Sequence, residues 1–127
     1  MARTLNAYLK RQDIPVRMAL QQVVTELKMP LTLDEGYAPF ETAGYLPCTL
    51  NGEDAGFDLR FKEAAPGLGE RDATMAFKWG GDTREEAAAS IVCAALAKSF
   101  GALVRQGEDG PLLLPDQLLA KARAVLG

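Results

Sequence analysis

The run "EEAAASIVCAALAKSF", residues 85–100, constrains the fold more than any other stretch of this chain. Ala87, Ala88, Ala89, Ile91, Val92, Cys93, Ala94, Ala95, Leu96 and Ala97 leave no broad polar face at helical spacing. A helix that is apolar nearly all round must be covered on most sides. Its small side chains let a sheet approach closely. The spacing therefore predicts a central helix lying across a sheet, with little of it exposed to water.

The start of that helix raises the one question of chemistry in the segment. "KWGGDTREE" sets a glycine pair before an acid, and a glycine pair at a helix N-terminus is one way to cradle phosphate. A cradle needs open N–H groups and positive charge. Here Asp82, Glu85 and Glu86 occupy or repel at that place, and the Gly-Lys-Ser/Thr ending of a P-loop is missing. Asp82 with Glu85 three residues on fits an acid-type capping box, and the glutamates suit the positive end of the helix dipole. Lys98 and then Gly101 suit the far end. The glycines are read as the place where a strand turns sharply into a helix.

Around this helix the pattern predicts an α+β domain spanning residues 1–127. Two helices are expected first. One covers Thr4 to Gln12, with Leu5, Tyr8 and Leu9 on one side. The second runs through "QDIPVRMALQQVVTELKMP", with Pro15 in its first turn and Val16, Leu20, Val23, Val24 and Leu27 at helical spacing. A mainly antiparallel sheet of four to five strands follows. "LTLD" is a short strand, "EGYAPFETAGYLP" a loop, and "LPCTL" and "AGFDLRFKEA" two strands joined by "NGED". Asn51-Gly52 is a hairpin signal because both residues tolerate positive φ. "APGLGERD" reads as a turn and "ATMAFKW" as a strand. "GALVRQ" and "PLLLP" form a hairpin around "GEDG", and "PDQLLAKARAVLG" is a short closing helix.

The residue content disfavours several chemistries. Histidine is absent, which removes the commonest general base and metal ligand. Cys48 and Cys93 lie 45 residues apart, and no Cys-x-x-Cys is present, so no metal or cofactor is expected and two reduced core thiols are. Ser90 and Ser99 lack a nucleophile elbow. A net charge of −3 argues against a nucleic-acid partner. No segment reaches the ~18 apolar residues of a membrane span, and no apolar leader opens the chain, so a cytoplasmic location is expected.

Charge is unevenly distributed. Residues 1–28 carry a balance of +3, residues 29–59 one of −6 with no lysine or arginine, and the remainder is neutral. The acidic segment also carries Tyr37, Phe40, Tyr45 and Phe57. Rings supply anchoring area and a one-signed field speeds encounter with an oppositely charged protein. Asp34, Glu35, Glu41, Glu53 and Asp54 are therefore candidates for the field, and Tyr37, Phe40 and Tyr45 for the anchors, of a surface that binds a basic partner. The alternative stands beside it: the rings fold back to cap the core while the acids face water.

The order "GYLPCTLNGEDAGFDLRF", "MAFKWGGDTREEAAASIVCAALAKSFGALV", "LLLPDQLLAKA", covering residues 44–126, resembles small bacterial proteins of the toxin-immunity type. These are the immunity partners of polymorphic or type VI secreted toxins. The resemblance implies a non-catalytic protein that neutralises a cognate toxin, and it transfers no binding residue. An adaptor or secretion-chaperone-like accessory protein fits the same composition, and a small histidine-independent enzyme is the third class.

Overall fold

The computed structural model describes residues 3–63, 69–107 and 110–126. Nine strands are found there: β1 (Thr4–Leu9), β2 (Leu31–Leu33), β3 (Gly44–Leu46), β4 (Cys48–Leu50), β5 (Glu53–Asp54), β6 (Phe57–Glu63), β7 (Ala73–Lys78), β8 (Leu103–Gln106) and β9 (Leu112–Leu113). The helices are α1 (Arg17–Glu26), α2 (Thr83–Ser99) and α3 (Pro115–Leu126), with a single 3-10 turn at Arg11–Asp13. The architecture is α+β. One antiparallel sheet has six strands in the order β3-β6-β7-β1-β8-β9, and a small one has the order β2-β4-β5. The sheet is thus larger than the expected four to five strands, and a second sheet accompanies it.

The first expected N-terminal helix is a strand. β1 lies inside the large sheet, paired antiparallel with β7 on one side and β8 on the other. Leu5, Tyr8 and Leu9 match helical spacing, but Leu5, Ala7 and Leu9 also alternate, and all three are buried on the face toward α2. Two neighbouring strands supply hydrogen bonds to both edges of this segment, and that tertiary pairing overrides the helix preference of Leu and Ala.

The second expected helix is present but starts later. Val16 is its N-cap and lies 60% exposed, so Pro15 precedes the helix instead of opening it. Leu20 and Val24 form the buried stripe, with Val23 and Leu27 packed at its edge.

The Asn51-Gly52 turn is where expected, with φ of 56° and 83°. Its partner strand is different. The two-residue turn pairs Leu50 with Glu53 and Thr49 with Asp54, making a short hairpin of β4 and β5. Ala55 and Gly56 then carry the chain into the large sheet, where β6 pairs with β7 and with β3. β3 lies within the expected loop, three residues long, and begins with Gly44 at φ 140°. β7, the β8–β9 hairpin and α3 are as the sequence suggests. The expected turns at 65–72 and around "GEDG" fall partly outside the described residues.

α2 lies where its composition demands. It packs against β1, β6, β8 and β4 on one side and most extensively on α3, with α1 at its flank. Every residue from Ala87 to Leu96 is buried. Phe57, Leu59, Met75 and Phe77 from the sheet and Leu118, Leu119 and Ala122 from α3 belong to the same core. All three helices lie with this core, and the opposite face of the six-stranded sheet carries Arg60, Lys62 and Lys78 outward.

Candidate functional site

The glycine pair before α2 is a helix entrance. Asp82 is the N-cap, and its Oδ1 accepts from the Arg84 N–H at 2.8 Å. Glu85 Oε1 reaches back to the Gly80 N–H at 3.2 Å, two residues before the position that a capping box would use. These carboxylates take up donors that a phosphate would need. At the other end Gly101 has φ 75°, and the N–H groups of Phe100 and Ala102 both reach the Leu96 carbonyl.

The acidic segment is divided by the fold into separate places. Asp34 and Glu35 are exposed in the turn after β2, where Asp34 Oδ2 accepts from the Gly36 N–H at 2.8 Å. Asp54 is exposed on β5. The β2-β4-β5 sheet brings these three carboxylates to the rim of one open cleft of ≈ 380 Å³, with Thr32, Pro47 and Thr49 between them and Cys48 in its lining. Among the described residues no lysine or arginine lies within 4.0 Å of any of the three. Glu53, the neighbour of Asp54, does not share this condition. Its carboxylate pairs with the Arg84 guanidinium at 3.3 Å, and Arg84 also donates to the Leu50 carbonyl. That pairing fastens the β4–β5 turn to the start of α2.

The three candidate rings part company. Tyr37 is 4% exposed, and its hydroxyl donates to the Pro15 carbonyl at 2.8 Å. Burial raises its pKa well above the usual phenol range. Tyr37 is a core residue that ties the loop to the entrance of α1. Phe40, 40% exposed with φ 65°, lies on Phe61 with ring centres 5.3 Å apart, and the Arg11 guanidinium sits 4.2 Å above it. A cation from outside the segment therefore covers the ring, which Glu41 adjoins in the chain as an exposed side chain. Tyr45 is 60% exposed but belongs to β3, opposite Asp58 on the large sheet. It borders a depression with Trp79, Lys78 and Glu85, away from the acidic cleft.

Neither thiol is reactive in this setting. Burial pushes Cys48 up to about 12 and Cys93 well above its ordinary value, so both stay protonated at neutral pH. Among the described residues no three Cys, Asp or Glu side chains are grouped to hold a metal ion, and no helix is long and apolar enough to cross a membrane.

No family model matches this chain, and no curated protein or solved structure does.

A set of residues outside the expected site is also brought together. Asp58, Arg60 and Lys62 alternate along β6 and share the helix-free face of the large sheet with Lys78 of β7 and Arg105 of β8. The period-two pattern of "FDLRFK" carries this signal, since every second residue of a strand points the same way. A balance taken over a linear window hides it, because a window mixes the two faces of a strand and the boundary at residue 59 parts Asp58 from Arg60 and Lys62.

Proposed function

We propose that the protein is a non-catalytic binding protein, a cytoplasmic immunity-type partner that neutralises a basic cognate toxin. The observation that carries this reading is the grouping of Asp34, Glu35 and Asp54 on one cleft with no cation at ion-pair distance among the described residues. Carboxylates left without a cation beside them keep their field for an incoming charge. Unscreened rim charges raise association rates more than they add to final affinity. The cleft is open, and Pro47 and Thr49 line it beside the acids. Two of the three candidate rings serve the reading differently. Tyr37 holds the 34–42 loop on the core, and Phe40 is stacked beneath Arg11, so both fix the shape of the turn that presents Asp34 and Glu35.

A neutraliser needs no chemistry of its own, and buried, protonated thiols fit that role. The test is co-expression with the product of the adjacent gene, followed by co-purification and an assay of that product's toxicity. A stable complex that suppresses toxicity supports the reading. A neighbour that is neither bound nor toxic removes it.

A further inference from the structure

We infer a second docking surface on the helix-free face of the six-stranded sheet, one that takes a carboxylate-rich segment of a partner protein. The register places the residues of this face. Tyr45, Asp58, Lys78 and Thr4 form one row across β3, β6, β7 and β1, and Arg60, Ala76 and Asn6 the next. Lys62 and Thr74 follow in the third row. Ala76 and Asn6 are the floor of a trough of ≈ 250 Å³, with Arg60, Lys62, Lys78 and Asp58 around it.

Three features give the trough a chemistry. The first is sign: Arg60, Lys62 and Lys78 outnumber Asp58 there, although the whole chain is net −3. Asp58 is already used by Arg60, at 3.0 Å. Among the described residues no carboxylate lies within 4.0 Å of Lys62 or Lys78, so each ammonium keeps its charge for a ligand. The second is relief. Small side chains at Ala76 and Thr4 let a ligand backbone come close to the strands.

The third is spacing. Lys62 lies opposite Thr74, four residues from Lys78 along β7. At about 3.4 Å per residue that is roughly 14 Å. An extended ligand strand crossing the trough repeats that distance between its residues i and i+4, and because Thr74 itself is buried, Lys62 is met where its side chain lines the trough. Carboxylates at those positions meet both lysines, and one at i+2 meets the row of Arg60.

A single-stranded nucleic acid also carries regularly spaced anions, but such ligands hold on by stacking bases on aromatic rings. The floor here offers Ala76, Asn6 and Thr4, and the exposed ring, Tyr45, stands at the edge strand.

The probe is a short synthetic peptide with glutamate at every fourth position and serine or threonine between, titrated into the ¹⁵N-labelled full chain. Amide shifts are expected at Thr4, Asn6, Ala76 and Lys78. They should weaken as salt is raised and lose at least tenfold in affinity in the double variant Lys62→Gln, Lys78→Gln. Both side chains are exposed, and a dispersed spectrum identical elsewhere shows that the variant is folded. Asp34→Lys should leave this titration unchanged, which separates it from the acidic cleft. Shifts absent from the trough, equal shifts with a lysine-bearing peptide, an unaltered response in the double variant, or tighter binding of oligothymidylate to the same amides would each overturn the inference.

Discussion

Replacing Tyr37 by Phe removes one oxygen and distinguishes a core residue from an interface anchor. The ring of Tyr37 is 4% exposed and 6.5 Å from the Phe61 ring, so the substitution leaves its packing in place. What is lost is the 2.8 Å hydrogen bond to the Pro15 carbonyl, itself on a buried residue. A carbonyl left without its donor in such a place costs about 1–2 kcal/mol. With a urea m-value of about 1.5 kcal/mol per M, the midpoint falls by roughly 1 M. The assay is equilibrium urea unfolding followed by tryptophan fluorescence and far-UV circular dichroism. Coincident transitions establish that one free energy is being measured. Partner affinity of the folded variant should not change. An unmoved midpoint, or a large loss of affinity at full stability, would refute the assignment of Tyr37 to the core.

Three further perturbations test separate parts of the fold. Asp82→Ala removes the cap on the Arg84 N–H and should cost about 0.5–2 kcal/mol by the same unfolding measurement, with partner affinity unchanged. Gly56→Ala should destabilise by more than the few tenths of a kcal/mol of a typical surface change, because its Cβ would stand 2.5 Å from the Leu46 carbonyl oxygen and from the Tyr45 ring; a soluble variant with the parent's midpoint would contradict that packing. Raising pH should destabilise the protein above about pH 9. Cys48 titrates from 9.0 when unfolded but is pushed up to about 12 by burial, so its contribution is whole below pH 9 and is lost as pH rises toward 12. Each such buried group adds a slope of about 1.4 kcal/mol per pH unit within its window. Cys93 shifts in the same direction, and unfolding midpoints flat from pH 8 to 11 would show that the two thiols are not buried.

The parts of the fold legible in the sequence are those where local pattern and tertiary demand agree. α2 is one: its cap, its last-turn lysine, Gly101 and its apolar circumference all point to the same buried helix, and the structure covers it on every side. β7 is another, since Ala73, Met75, Phe77 and Trp79 alternate and are all buried. β1 was not legible, because "TLNAYL" satisfies both a three-four and a two-residue period, and only pairing with β7 and β8 decides between them. β3 was hidden for a different reason. Three residues are too few to show a period, and the Gly and Pro around them signal a loop.

For the candidate site, the acids Asp34, Glu35 and Asp54 were found from charge alone. Their division from Glu53 was not, since Arg84 is 31 residues further along the chain and reaches Glu53 only through the fold. Tyr37 and Tyr45 look alike in sequence, each following a glycine, yet one is tied to Pro15 and the other faces water.

The central claim is that Asp34 and Asp54 supply the field that draws in a basic partner. Association kinetics of the folded double variant Asp34→Lys, Asp54→Lys against the adjacent gene product, by surface plasmon resonance over a range of salt, test it most directly. Both side chains are exposed and without an ion-pair partner among the described residues, and the change costs the fold one exposed hydrogen bond, from the Gly36 N–H to Asp34. The association rate is expected to fall at least tenfold at low salt, and its dependence on salt to flatten, with a smaller change in dissociation. An association rate and salt dependence equal to the parent's would contradict the claim and move the search to the basic face of the large sheet.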